Sequence, residues 1–132
     1  MADAEVNESR LYGSWDLQRW RRIAADGSVT LPHTDNGRGR IVYERSGRMA
    51  AFLVHPDWPA PGLVNGFTAY SGPFKVEDGS VHHMVDFASQ PSMVGKDLVR
   101  KVTLRGELLI LEAAAIDEAA ARHELEWRRV TA

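Results

Sequence analysis

Short joins constrain this chain more than any other feature of it. Segments with the period-two alternation and β-branched content of strands follow one another at roughly even spacing. Parallel neighbours need a crossover of about a dozen residues or more, so tight turns leave only the antiparallel hairpin. The strands are expected over Leu11 to Ile23, Arg40 to Glu44, Arg48 to Val54 and Gly66 to Val76. Four more are expected over Val81 to Phe87, Asp97 to Leu104, Leu108 to Glu112 and Arg122 to Val130. Arg45-Ser46-Gly47, Glu77-Asp78-Gly79-Ser80 and Leu104-Arg105-Gly106-Glu107 supply hairpin turns between neighbours. Sequential hairpins build an all-β, antiparallel up-and-down meander, and closing it into a barrel removes both exposed edges. An eight-stranded barrel is just wide enough to fill itself or to hold one small ligand.

Several segments depart from that pattern. Trp20-Arg21-Arg22-Ile23 breaks the alternation that sets Trp15 and Leu17 on one face, which points to a bulge or to a strand leaving the wall. Gly72-Pro73 marks a bulge or kink. Leu31 to Gly39 is loop, and Ala113 to Ala121 has helix-forming composition over a length marginal for an independent helix. His55-Pro56-Asp57-Trp58-Pro59-Ala60-Pro61-Gly62 holds prolines that cannot donate to a ladder. Trp58 in that loop either packs on the core rim or serves as a lid over a ligand.

At 132 residues the chain is the size of one domain, expected over 11–132, after a polar lead-in from Met1 to Arg10. A net charge of −2 gives no electrostatic reason to expect nucleic acid or an anionic membrane surface. With no cysteine, neither a disulfide framework nor a thiolate zinc site can form, and a reducing compartment is favoured. No apolar run approaches the ~20 residues of a membrane helix, and the first ten residues are unlike a secretory leader. A cytoplasmic protein without membrane insertion is expected. Whether it forms a homodimer stays open.

Strong catalytic motifs are absent: no nucleophile elbow, no phosphate-binding glycine loop, no His-Glu-x-x-His. His82 and His83 point to opposite faces of a strand, and nothing in the spacing draws His55, His83 and His123 together, so no metal or cofactor is expected. Two polar groups are conspicuous instead. His83 shares the face of Val81, Val85 and Phe87, and Arg100 shares that of Leu98, Val102 and Leu104. A polar group on an apolar face costs free energy unless something hydrogen-bonds to it. Either the protein satisfies the pair internally, through a buried carboxylate such as Glu112, or both face a cavity. That cavity would be lined by Tyr43, Phe52, Tyr70, Val85, Phe87, Leu98 and Trp127.

Gly13-Ser14-Trp15 resembles the Gly-x-Trp opening of lipocalins and other calycins, and Trp127-Arg128-Arg129 resembles the Trp-x-Arg close of lipocalin-like domain proteins. The middle is similar to one bacterial and fungal lipocalin-like family. This holds for Gly39-Arg40-Ile41-Val42-Tyr43 with Gly47-Arg48-Met49, and for Tyr70-Ser71-Gly72-Pro73-Phe74. It holds too for Val81-His82-His83-Met84-Val85-Asp86, Pro91 with Gly95, Leu98-Val99-Arg100 and Gly106-Glu107-Leu108. Pro73 and the Trp58 loop depart from that family's pattern. The resemblance implies a calycin barrel with Trp15 packed against Arg129 across its closed end.

Two functions follow from residues and resemblance together. In the first, a small hydrophobic, ring-containing metabolite is bound, with His83 and Arg100 as polar anchors. In the second, the protein is a cofactor-free isomerase, cyclase or dehydratase of secondary metabolism, acting on a polyketide-like or terpenoid-like substrate. His83 would then be general acid/base, Arg100 oxyanion stabiliser, and a phenol from Tyr43 or Tyr70 would assist.

Overall fold

A computed structural model describes residues 6–31, 38–61, 66–113 and 122–131. Its strands are β1 (Gly13–Ile23), β2 (Val29–Thr30), β3 (Arg38–Tyr43), β4 (Arg48–Val54) and β5 (Phe67–Glu77). They continue as β6 (Ser80–Met84), β7 (Phe87–Ala88), β8 (Asp97–Arg105), β9 (Leu108–Ala113) and β10 (Arg122–Arg129). All pairings are antiparallel, and they run β10-β9-β8-β6-β5-β4-β3-β1, with β1 returning to β10. This is the closed eight-stranded up-and-down barrel expected from the short joins. The two-residue strands are additions to it: β2 pairs with β1 and β7 with β5. No helix among the described residues is long and apolar enough to cross a membrane. The alanine-rich connection at 114–121 lies outside the described residues.

Turn chemistry sets the register. Glu77 pairs with Ser80 across the two-residue loop Asp78-Gly79, in which both φ angles are positive, at 53° and 78°. Such a loop matches the right-handed twist of its strands, and Gly accepts the conformation without penalty.

The barrel's closed end is built by residues just before β1. Leu11 belongs to a single helical turn, α1 (Glu8–Leu11), rather than to the first strand. Asn7 caps the turn by accepting the Ser9 N–H, and the Glu8 carboxylate accepts the Val76 N–H at 2.7 Å. Leu11 is thereby pressed into the core, where its carbonyl accepts the Trp15 indole N–H at 2.9 Å. Arg129 lies over the Trp15 ring, 4.1 Å from its centroid, and donates to the Tyr12 and Arg10 carbonyls. The packing of Trp15 against Arg129 is as the resemblance implied. Above this plug, Met49, Phe74, Val81, Val102 and Leu109 fill the lower half of the tube.

Two irregularities shape the upper half. In β1 the pairing with β10 slips between Leu17 and Arg19, so the inward positions pass from odd to even numbers and Trp20 turns inside. The strand stays in the wall through Ile23, which resolves the broken alternation as a bulge. The second irregularity ends β6 at Met84. A Cβ on Gly72 would lie 1.9 Å from the Met84 carbonyl oxygen, so only glycine lets the two backbones cross there. Beyond the crossing, Asp86 N–H bonds to the Ser71 carbonyl and β7 runs beside β5.

Candidate functional site

A cavity of about 140 Å³ occupies the upper half of the barrel. Its wall is mostly apolar, formed by Ile41, Ala51, Leu53, Leu111, Leu125, Trp127 and, from the 3-10 turn Pro91–Met93, Met93. Polar groups reach it from β5 (Thr68 and Tyr70), β6 (His83), β8 (Arg100), β1 (Trp20) and β10 (His123). The period-two rule explains most of this set, because alternate residues of each strand face inward.

His83 is the one buried polar or charged residue of the described chain, at 1% exposure. Phenols bracket it: Tyr43 Oη lies 2.7 Å from Nε2, and Tyr70 Oη lies 2.8 Å from Nδ1. Burial, with Arg100 and His82 adding like-charge repulsion, pushes the imidazole down to about 3. The ring is therefore neutral at physiological pH. Burial also pushes the Tyr70 phenol up to about 12, against the opposing pull of the Arg100 charge, and raises Tyr43 well above the ordinary phenol value. Tyr43 itself sits behind His83, edge-on to Phe74 at 4.8 Å between centroids.

Arg100 is held differently. Among the described residues its guanidinium makes one hydrogen bond, a 3.2 Å contact with the Val99 carbonyl, and no ion pair. Glu112, the carboxylate that could have satisfied it, pairs instead with Arg122 at 3.3 Å. The two candidates thus part company: the protein satisfies His83 at both nitrogens and leaves Arg100 a cation on a cavity wall. At the rim, the Trp20 indole donates to His123 Nδ1 at 2.9 Å.

The remaining expected wall residues divide by register. Tyr70 and Trp127 line the cavity. Leu98 lies on the inward side of β8 opposite His83, and Val85, just past the end of β6, is buried, but neither is part of the cavity wall. Phe52 and Phe87 correct the expectation. Ala51 takes the inward position in β4, which sends Phe52 outward, and the break after Met84 turns Phe87 out to 73% exposure. Trp58 is not over the cavity either. It packs on the outer wall against Phe67, 5.4 Å between ring centroids.

Conversely, Trp20 was hidden from a period-two reading by the bulge, though the broken alternation was its visible trace. Met93 lies on a turn that carries no periodicity at all. Among the described residues no three His, Cys, Asp or Glu side chains are grouped to hold a metal ion.

No curated protein matches the sequence. A family model does, over residues 12–130, which take in every strand of the barrel together with Trp15 and Arg129 at its closed end, and it is described as a lipocalin-like domain. The chain belongs to the lipocalin-like domain family.

Proposed function

We propose that this protein binds a small hydrophobic, ring-containing molecule inside the barrel, with Arg100 as its polar anchor, Tyr70 beside it and His83 supporting Tyr70 from behind. A lipocalin-like barrel already suggests a small hydrophobic ligand. The observation that carries the finer reading is a guanidinium with no carboxylate partner among the described residues, on a mostly apolar wall. An apolar pocket with a few convergent polar groups is the usual form of a small-molecule site. The size fits a modest ligand, since engineered cavities of about 150 Å³ in other proteins take up benzene. Arg100 offers planar donors suited to a carboxylate, enolate or carbonyl oxygen.

The test is a fluorescence titration with single-ring compounds, since the indoles of Trp20 and Trp127 both line the cavity. Saturable quenching should appear, and should survive Phe87→Ser on the outer wall. If every ring compound leaves the spectrum unchanged, the cavity is not a binding site.

A second reading is favoured by the phenol–imidazole–phenol chain beside Arg100. In a cofactor-free isomerase, cyclase or dehydratase, Tyr70 would be the group that meets substrate, because both His83 nitrogens are occupied. Arg100 would stabilise the developing oxyanion. Tyr70→Phe separates the readings. Turnover lost with product-analogue affinity kept within about tenfold, ~1.4 kcal/mol, marks an enzyme; affinity lost without any turnover to lose marks a binder.

A further inference from the structure

We infer that Tyr43 and His83, whose polar atoms are engaged with one another and with Tyr70, lock the Tyr70 hydroxyl as a donor into the cavity, so that the site selects a ligand oxygen able only to accept. This rests on the cavity being a binding site and adds the chemical class of what it takes: a ring bearing a carboxylate or enolate.

Hydrogen-bond satisfaction carries the reasoning. A neutral imidazole has one donor nitrogen and one acceptor nitrogen. The Tyr43 hydroxyl is fully buried, and His83 Nε2, at 2.7 Å, is its single partner among the described residues. If Nε2 carried the proton, it would donate to Tyr43 and leave that tyrosine's own O–H buried without an acceptor, which is costly. The Tyr43 O–H must therefore donate to Nε2. The His83 proton then resides on Nδ1 and donates to Tyr70 Oη at 2.8 Å.

With its oxygen already accepting from His83, Tyr70 must send its own proton elsewhere. Tyr70 is on the cavity wall, as is Arg100, which cannot accept a hydrogen bond. At the rim, His123 Nδ1 accepts the Trp20 indole, so in the neutral ring its proton is on Nε2. Among the described residues no carboxylate lines the cavity. Among the described residues the wall therefore sets the Tyr70 donor beside one positive charge, with the Thr68 hydroxyl the one group besides Tyr70 that can both donate and accept, so the charge works against a ligand ammonium.

The test pairs a spectrum with a titration. Nitrogen-15 spectra of His83 at neutral pH should show the proton on Nδ1; a proton on Nε2 overturns the lock directly, with no variant needed. Toluene, benzoate and benzylammonium should then be titrated as probes of one ring. Benzoate should bind about tenfold or more tighter than toluene, the margin of a charge-assisted hydrogen bond, and benzylammonium should bind weakest. Tyr43→Phe, which does not alter the cavity wall, should cost benzoate about threefold or more and leave toluene unchanged. If toluene binds and benzoate binds no better, the selectivity inference fails while the cavity stands. If no probe binds, both fall. If Tyr43→Phe weakens toluene and benzoate equally, Tyr43 only supports the fold and the lock is refuted.

Discussion

Arg100→Gln removes a guanidinium whose one hydrogen-bond partner among the described residues is a backbone carbonyl, so its effects on stability and binding should separate. A surface-like loss of about 0.5 kcal/mol in stability is expected, because no buried partner is orphaned. Affinity for a ring carboxylate should fall by about 2 kcal/mol, read by calorimetry, since a charge-assisted bond is lost. Were Arg100 structural, stability would fall with affinity. His83 is the opposite case. Its two phenol contacts make it part of the framework, and any truncation there leaves buried hydroxyls without partners. The sequence showed both residues as polar groups on apolar faces. It could not show which one the protein satisfies, because Tyr43 and Tyr70 meet His83 only through closure of the tube.

The crossing of β5 and β6 is the element on which the cavity's outline depends. Gly72→Ala should cost about 3 kcal/mol or more in denaturant unfolding, because the new methyl collides with backbone that cannot rotate away. A neutral result would mean that Met84 does not pass over Gly72. The same crossing decides the inward register after Met84. Phe87→Ser should lie within about 0.5 kcal/mol of the parent, whereas Val81→Ala should cost about 1–3 kcal/mol. Equal costs would restore a single continuous strand.

These two elements also show where sequence reading stops. Hairpin turns and alternation gave strand order and barrel closure, since both are local signals. The inward position of Trp20 was hidden, and the outward positions of Phe52 and Phe87 were misread. Ala51 and Phe52 are adjacent apolar residues that alternation cannot rank, and a bulge or a backbone crossing reverses parity without changing composition.

For the molecule as a whole, the buried Tyr43–His83–Tyr70 chain predicts a stability plateau with two edges. An imidazole held at about 3 in the fold and near 6.5 when unfolded makes the unfolded chain bind more protons between those values. Its contribution, on the order of 5 kcal/mol, is therefore fully present above about pH 6.5 and is lost as pH falls toward 3. On the alkaline side the phenol signs are reversed. Tyr70, held at about 12, stabilises the fold below pH ~10 and loses that contribution as pH rises toward 12. Urea midpoints across pH should decline already between about 6 and 5, before Asp and Glu titrate appreciably. A midpoint flat down to about pH 4.5 would place His83 in water. The closed end contributes separately. Arg129→Leu removes two hydrogen bonds and the stack on Trp15 and should cost about 2–4 kcal/mol.

The most direct measurement of the binding cavity is a methyl-resolved carbon-13 NMR titration with toluene. Ile41, Leu53, Leu111 and Leu125 on the cavity wall should shift together and saturate, while the outward-facing Val29 and Val99 stay still. Shifts confined to the exposed aromatic wall around Phe52 and Phe87, or none at all, would contradict it.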